Sequence, residues 1–259
     1  MITYRHSPPI FEEIVSNVLP SVVGIAVGSD EKGRPNIIGA GFAVERSEFY
    51  VTCWHVAKEY DKLSQLGEEE LKKAGLKDAT LRLALWNGKD TYHWKEVQKG
   101  TLMSNREENH DIFIFRLPDV AVPPMTIKKD NLWTFGTEVG IIGFPMGNDL
   151  QGEILRPYVI KTIISGGLEY PLKNGHTSER LAIGIALAGG FSGSPVFDSK
   201  TGVVLGMVNS KMMESDELLN TWPAGISLAT APRIINIGLD KHIDDTTKRI
   251  HKALWPENT

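Results

Sequence analysis

Apolar residues in this chain fall mostly in short runs that alternate with small or polar positions, and Gly, Pro, Asn or Asp stand between the runs. That period-two pattern, rich in β-branched side chains, predicts strands. The segments SVVGIAVGS, IIGAGFAVE, FYVTCWHVA, LRLALWNG, DIFIFRL, EVGIIGF, RPYVIKTIIS, LAIGIAL, GVVLGMVNS and AGISLAT all fit it. About ten short strands without regular intervening helices predict barrels or a sandwich rather than a parallel sheet with crossover helices.

Three segments break the pattern. In PPIFEEIVSNV, residues 8–18, Ile10, Ile14 and Val18 are spaced four apart behind a Pro pair, which predicts a short entry helix. AKEYDKLSQLGEEELKKAG, residues 57–75, is charged with helical spacing and reads as a surface insertion. From Pro232 to Trp255, Ile234, Ile237, Ile243, Ile250 and Leu254 form a helical stripe, with an interruption expected near Gly238. The stripe can pack on the second half of the chain or form a seam between copies, and packing in cis is the simpler expectation. Pro118, Pro123 and Pro124 mark an extended linker at residues 117–136 that divides the strand-rich region into two halves.

Composition narrows the class. With 259 residues, 41% hydrophobic and 23% charged, the chain reads as an ordinary soluble globular protein with a substantial core. A net charge of −4 argues against a general nucleic-acid binder, which needs a basic surface. Cys53 is the single cysteine, so no intramolecular disulfide can form. The N-terminus lacks the apolar core of a signal peptide, no stretch approaches a membrane-spanning helix, and a cytoplasmic location without membrane partners is the expectation.

Candidate chemistry centres on LAGGFSGSPVFD, residues 187–198. Gly190 and Gly193 flank Phe191 and Ser192 and permit backbone conformations in which successive N–H groups converge on one point. Ser192 is then either a turn residue or a nucleophile. A serine hydroxyl needs a base, an orienter for that base and donors for an oxyanion. In VTCWHVA, His55 closes an apolar strand and can project from its end, although a packed core histidine is the blander reading. In NREENHDIFIFRL, Asp111 opens a strand, and His110 beside it is a competing base.

Taken in order, TCWHVA, DIFIFRL and GGFSGSPV resemble the trypsin-like serine protease family, above all its bacterial, disulfide-free HtrA-like branch. SVVGIAV with GAGFAVE, VGIIGFPMG, GVVLGMVNS and PAGISLA are similar to further segments of that branch, so the resemblance spans roughly residues 20–232. It implies His55 as general base and acid, Asp111 as its orienter and Ser192 as nucleophile, with the Gly190 and Ser192 N–H groups as oxyanion hole. It also implies a side pocket bounded by Ala186, by Asn209, Ser210 and Lys211, and by Gly225. Ala186 offers no partner to a cationic substrate side chain, so an apolar one is expected, unless Lys211 points inward and pairs an acidic or polar one.

Departures from the family are specific. Phe191 stands where secreted digestive members carry an acid that pairs with a newly cut N-terminus, so active-site order is expected to be intrinsic or supplied by a partner. Phe113 replaces a family Ala, Ser194 replaces the commoner glycine, and Cys53 reads as a buried apolar filler. The tail is too short for the PDZ module that many bacterial relatives append. Narrow specificity or an activating or delivering protein partner is therefore expected, with a protein or peptide as substrate.

Other classes fit less well. An α/β-hydrolase would need Gly where Ser194 stands and a triad histidine, His242 or His251, after the serine. A catalytically inactive protease-like binding scaffold is the remaining alternative. No H-E-x-x-H or C-x-x-C spacing supports a metal, GIIGFPMG lacks dinucleotide-binding spacing, and no cofactor is expected. The expected fold is all-β: two six-stranded antiparallel β-barrels of the chymotrypsin type, with a short N-terminal helix and a C-terminal helix. The protease domain is placed at 1–231, with barrels at about 20–118 and 130–231, and the helical segment at 232–259.

Overall fold

The computed structural model describes residues 9–44, 48–89, 91–97, 103–107, 110–117, 119–120, 122–130, 133–145, 155–171, 175, 177–209 and 226–254. Seven strands form the first sheet: β1 (Val22–Ser29), β2 (Pro35–Val44), β3 (Phe49–Thr52), β4 (Leu81–Trp86), β5 (Tyr92–Glu96), β6 (Met103–Glu107) and β7 (Ile112–Arg116). Their order is β5-β4-β1-β2-β3-β7-β6, and each neighbouring pair is antiparallel. β1 is apolar or small at almost every position and is buried along its whole length, flanked by β2 and β4.

The second sheet comprises β8 (Glu138–Gly143), β9 (Tyr158–Pro171), β10 (Thr177–Ile183), β11 (Pro195–Asp198), β12 (Val204–Val208) and β13 (Ser227–Thr230). These six close into a barrel in the order β10-β13-β12-β11-β8-β9. The fold is mostly β and of the chymotrypsin type, as expected, with a seventh strand in the first sheet. β5 and β6 escape the apolar pattern because YHWKE and MSNRE are largely polar, as suits strands at the ends of a sheet order.

The linker does more than span a gap. Met125 bridges to Val44 in the first sheet and Ile127 to Val204 in the second, and both side chains are buried. Helix α1 (Phe11–Val18) begins close to its expected place and buries Ile14 and Val18, while Phe11 stacks on Phe197 of β11.

Two expectations about helices are corrected. The segment FYVTCWHVA does not remain a strand through His55: β3 stops at Thr52, Cys53 caps, and helix α2 (Trp54–Leu63) places His55 in its first turn. The insertion then continues as α3 (Glu68–Lys73), with Leu63, Leu71 and Leu76 turned into the core. The C-terminal helix α4 (Pro232–Leu254) runs through Gly238 without a break. Glycine costs about 1 kcal/mol in a helix, but a Cβ here would lie 3.2 Å from Ile114 of β7, so its absence lets the helix approach the sheet. The stripe is also displaced by one residue: Ile235, Leu239 and His242 are buried, Ile234 and Ile243 partly so, and Ile237 is 54% exposed. The side chains of Ile250 and Leu254 lie outside the described residues. α4 packs on β6, β7 and β12, and so touches both sheets.

Candidate active site

Ser192 lies in the turn between β10 and β11, where the sequence places its glycines. Gly190 has φ +94° and Gly193 φ +87°, values that side chains other than glycine rarely adopt. A Cβ at Gly190 would overlap the Phe144 carbonyl, and one at Gly193 the Ala40 carbonyl and the Thr52 hydroxyl. The turn is therefore pressed against both sheets. The Ala40 N–H donates to the Ser192 carbonyl at 2.8 Å, and the Thr52 hydroxyl donates to the Ala40 carbonyl at 2.6 Å.

Phe191 is buried in the core of the closed barrel, and its carbonyl accepts the Ser194 N–H at 2.9 Å. A Cβ at Gly143 would meet the Phe191 ring, which shows how closely that ring is held. Among the described residues the Gly190 N–H makes no backbone hydrogen bond.

His55 enters the same seam from α2. The first N–H groups of a helix have no partner inside it, and here Asp111 supplies them. Its carbonyl accepts the Trp54 N–H at 3.1 Å and its Oδ1 the His55 N–H at 2.8 Å. The same carboxylate holds the ring, with His55 Nδ1 2.7 Å from Asp111 Oδ2. That double grip is the physical reason why the chain turns into a helix at Trp54 instead of extending the strand. Asp111 is buried and has φ +55°, the only positive φ of a non-glycine residue among those described.

The sheets converge on one acceptor. The Val208 carbonyl of β12 receives the Gly193 N–H at 2.9 Å and the Cys53 thiol at 3.1 Å, so the residue after Ser192 and the residue two before His55 share it. Cys53 is fully buried, in keeping with its reading as a filler. Burial pushes its thiol well above the usual range and the Asp111 charge pushes it further, while Arg180 pulls the other way. Cys53, His55 and Asp111 lie with ligand atoms within 4.8 Å of one another, but a metal would need a thiolate, and these atoms are committed to hydrogen bonds.

The remaining candidates are spread out. His110 directs Nδ1 to the Ser178 hydroxyl at 2.9 Å. Ala186 is exposed, Asn209 is buried with its N–H on the Leu228 carbonyl at 2.9 Å, and Ser210, Lys211 and Gly225 lie outside the described residues. Of the two alternative bases, His242 packs edge-on to Phe49 in α4, and the side chain of His251 lies outside the described residues. The first sheet accommodates Phe113 by setting its ring 5.9 Å from Trp54 and 5.7 Å from Phe115, beside a cavity of about 220 Å³ behind α2. Arg180 of β10 gives no sequence signal, since it shares its phase of the strand with Ser178 and Ala182 rather than with Leu181 and Ile183. It is 1% exposed.

Comparisons with known proteins bear on the fold and the family. No curated protein matches the chain. Among solved structures, a variant of the HtrA-type protease AlgW solved with a tripeptide superposes with a TM-score of 0.59 at 16% identity, covering 90% of this chain. The chain spans 63% of the length of that protein. The pattern of the trypsin-like peptidase domain matches residues 39–207, from β2 to β12, a stretch that includes His55, Asp111 and Ser192. On that match over most of its length, this chain belongs to the trypsin-like peptidase domain family.

Proposed function

We propose that the chain is a serine endopeptidase in which Ser192 attacks a peptide carbonyl. His55 takes the hydroxyl proton, Asp111 holds the imidazole by Nδ1, and the proton then passes to the leaving amine. The C–N bond breaks as the acyl-enzyme forms, and water activated by His55 hydrolyses the ester. The Gly190 and Ser192 N–H groups stabilise the developing oxyanion. The observation that carries this reading is the 2.7 Å contact between His55 and Asp111 at the mouth of α2, beside a serine turn that its glycines press against the same seam.

Phe191 suggests how the turn stays ordered without the ion pair used by secreted relatives. Its ring is anchored in the barrel core, so order comes from packing. Peptide substrates are supported by the family and by the HtrA-type relative that was solved with a tripeptide. Exposed Ala186 offers no charge, which favours an apolar side chain before the scissile bond. Cleavage is narrow in specificity or depends on an activating or delivering protein.

The test is digestion of a diverse peptide library, with Ser192→Ala as control. The expected result is few cleavages, after apolar residues, by the wild-type chain alone. Fast cleavage at many unrelated sites would contradict narrow or partner-dependent action, and cleavage after Arg or Lys would contradict the pocket assignment.

A further inference from the structure

Arg180 poses a physical problem that the proposed reaction does not use. A guanidinium buried to 1% exposure forfeits its hydration and must be bonded within the protein. It stands on β10 of the closed barrel, yet one end crosses to the first sheet. Nη1 donates to the Thr230 hydroxyl of β13, and Nη2 donates to the His110 carbonyl at 3.1 Å, a residue 70 positions away. Ser178, two residues earlier and on the same buried face of β10, holds the His110 ring at Nδ1, 2.9 Å away. One strand therefore grips His110 by backbone and side chain.

The next residue is Asp111, in the left-handed backbone region at φ +55°. Apart from glycine, Asp and Asn visit that region most readily, so the peptide entering Asp111 can be held there by what it bonds to. The His110 carbonyl belongs to the peptide that enters Asp111, so fixing this oxygen fixes the direction from which the carboxylate is presented to His55.

We propose that Arg180 is a positioning residue: through the His110 carbonyl it holds the left-handed Asp111 backbone so that the carboxylate meets both His55 Nδ1 and the His55 N–H. The closed barrel thereby sets the pair contributed by the first sheet, as well as carrying Ser192. This inference deepens the proposed function and rests on it.

Two readouts on Arg180→Met, an apolar side chain of similar length, test it. The first is the rate at which a fluorophosphonate labels Ser192, measured in the wild-type and Asp111→Asn backgrounds. Positioning predicts about 10- to 100-fold slowing in the wild-type background, because small misplacements of a catalytic group cost that much. It predicts less than about 3-fold in the Asp111→Asn background, where there is no carboxylate left to position. Equal slowing in both backgrounds, or none in either, overturns the inference.

The second is the His55 Nδ1–H proton in the NMR spectrum, which needs no activity. It is expected to be protected in the wild type and lost to solvent exchange in Arg180→Met, with the rest of the spectrum intact. Its persistence in a folded Arg180→Met chain overturns the inference. If the wild type does not label, the peptidase reading fails and this proton still decides the positioning claim. Should Arg180→Met not fold, Arg180→Lys carries the same two readouts, since it keeps the charge but not the fork that reaches Thr230 and His110 together.

Discussion

Asp111 satisfies the start of α2, holds the His55 ring and sits in a left-handed backbone conformation, so its replacement separates chemistry from folding. Asn tolerates the left-handed region and keeps one acceptor for the His55 N–H. Asp111→Asn is therefore expected to keep its melting temperature within a few degrees while Ser192 labelling falls about 10⁴-fold, the loss typical when the orienting acid of such a triad becomes an amide. Gly193→Ala should do the reverse damage: at φ +87°, with the Ala40 carbonyl and the Thr52 hydroxyl in the way, it should lower stability by more than about 2 kcal/mol in denaturant unfolding. Phe191→Ala empties a core site and should cost about 3–5 kcal/mol while also loosening the turn.

Elements are fastened by contacts that strand patterns do not reveal. Asp78 ties the end of β1 to the start of β4, accepting the Ser29 hydroxyl at 2.7 Å, the Thr80 N–H at 2.8 Å and Arg82 at 3.0 Å. Burial alone would raise its carboxyl, but these hydrogen bonds outweigh burial and hold it at about 2, below the ordinary value near about 3.9. A depressed carboxyl contributes stability at pH above the ordinary value and loses it as pH falls through the folded one. Denaturant midpoints should thus drop between about pH 4 and pH 2 in the wild type and change less in Asp78→Asn. For α4, Leu239→Ala should cost about 2–5 kcal/mol and Ile237→Ser less than about 0.5 kcal/mol, which checks the one-residue displacement of the stripe. That displacement was hidden because residues 234, 235 and 237 are all isoleucine or asparagine-flanked isoleucine, and several faces look equally apolar. The start of α2 was hidden for another reason: Trp54 and His55 become helical through an acceptor at residue 111, which no local propensity encodes.

At the scale of the molecule, the sheets meet along a seam, and legibility follows how local each demand is. Gly190 and Gly193 were readable because a backbone at positive φ admits almost no other residue. His55 and Asp111 were readable from the order of their segments, and the structure brings them to 2.7 Å. Arg180 was not, since its value depends on a carbonyl 70 residues away. The two-sheet division was legible from strand spacing and the Pro-rich linker, whereas β5 and β6 were lost among polar residues. In the proposed function this seam assembles an activated serine. Its most direct measurement is mass mapping of the adduct formed when the folded chain meets a fluorophosphonate, with Ser192→Ala and His55→Ala alongside. One adduct is expected, on Ser192, absent from Ser192→Ala and strongly slowed in His55→Ala. A folded wild-type chain that forms no adduct, or forms it on another serine, would show that Ser192 is not the nucleophile.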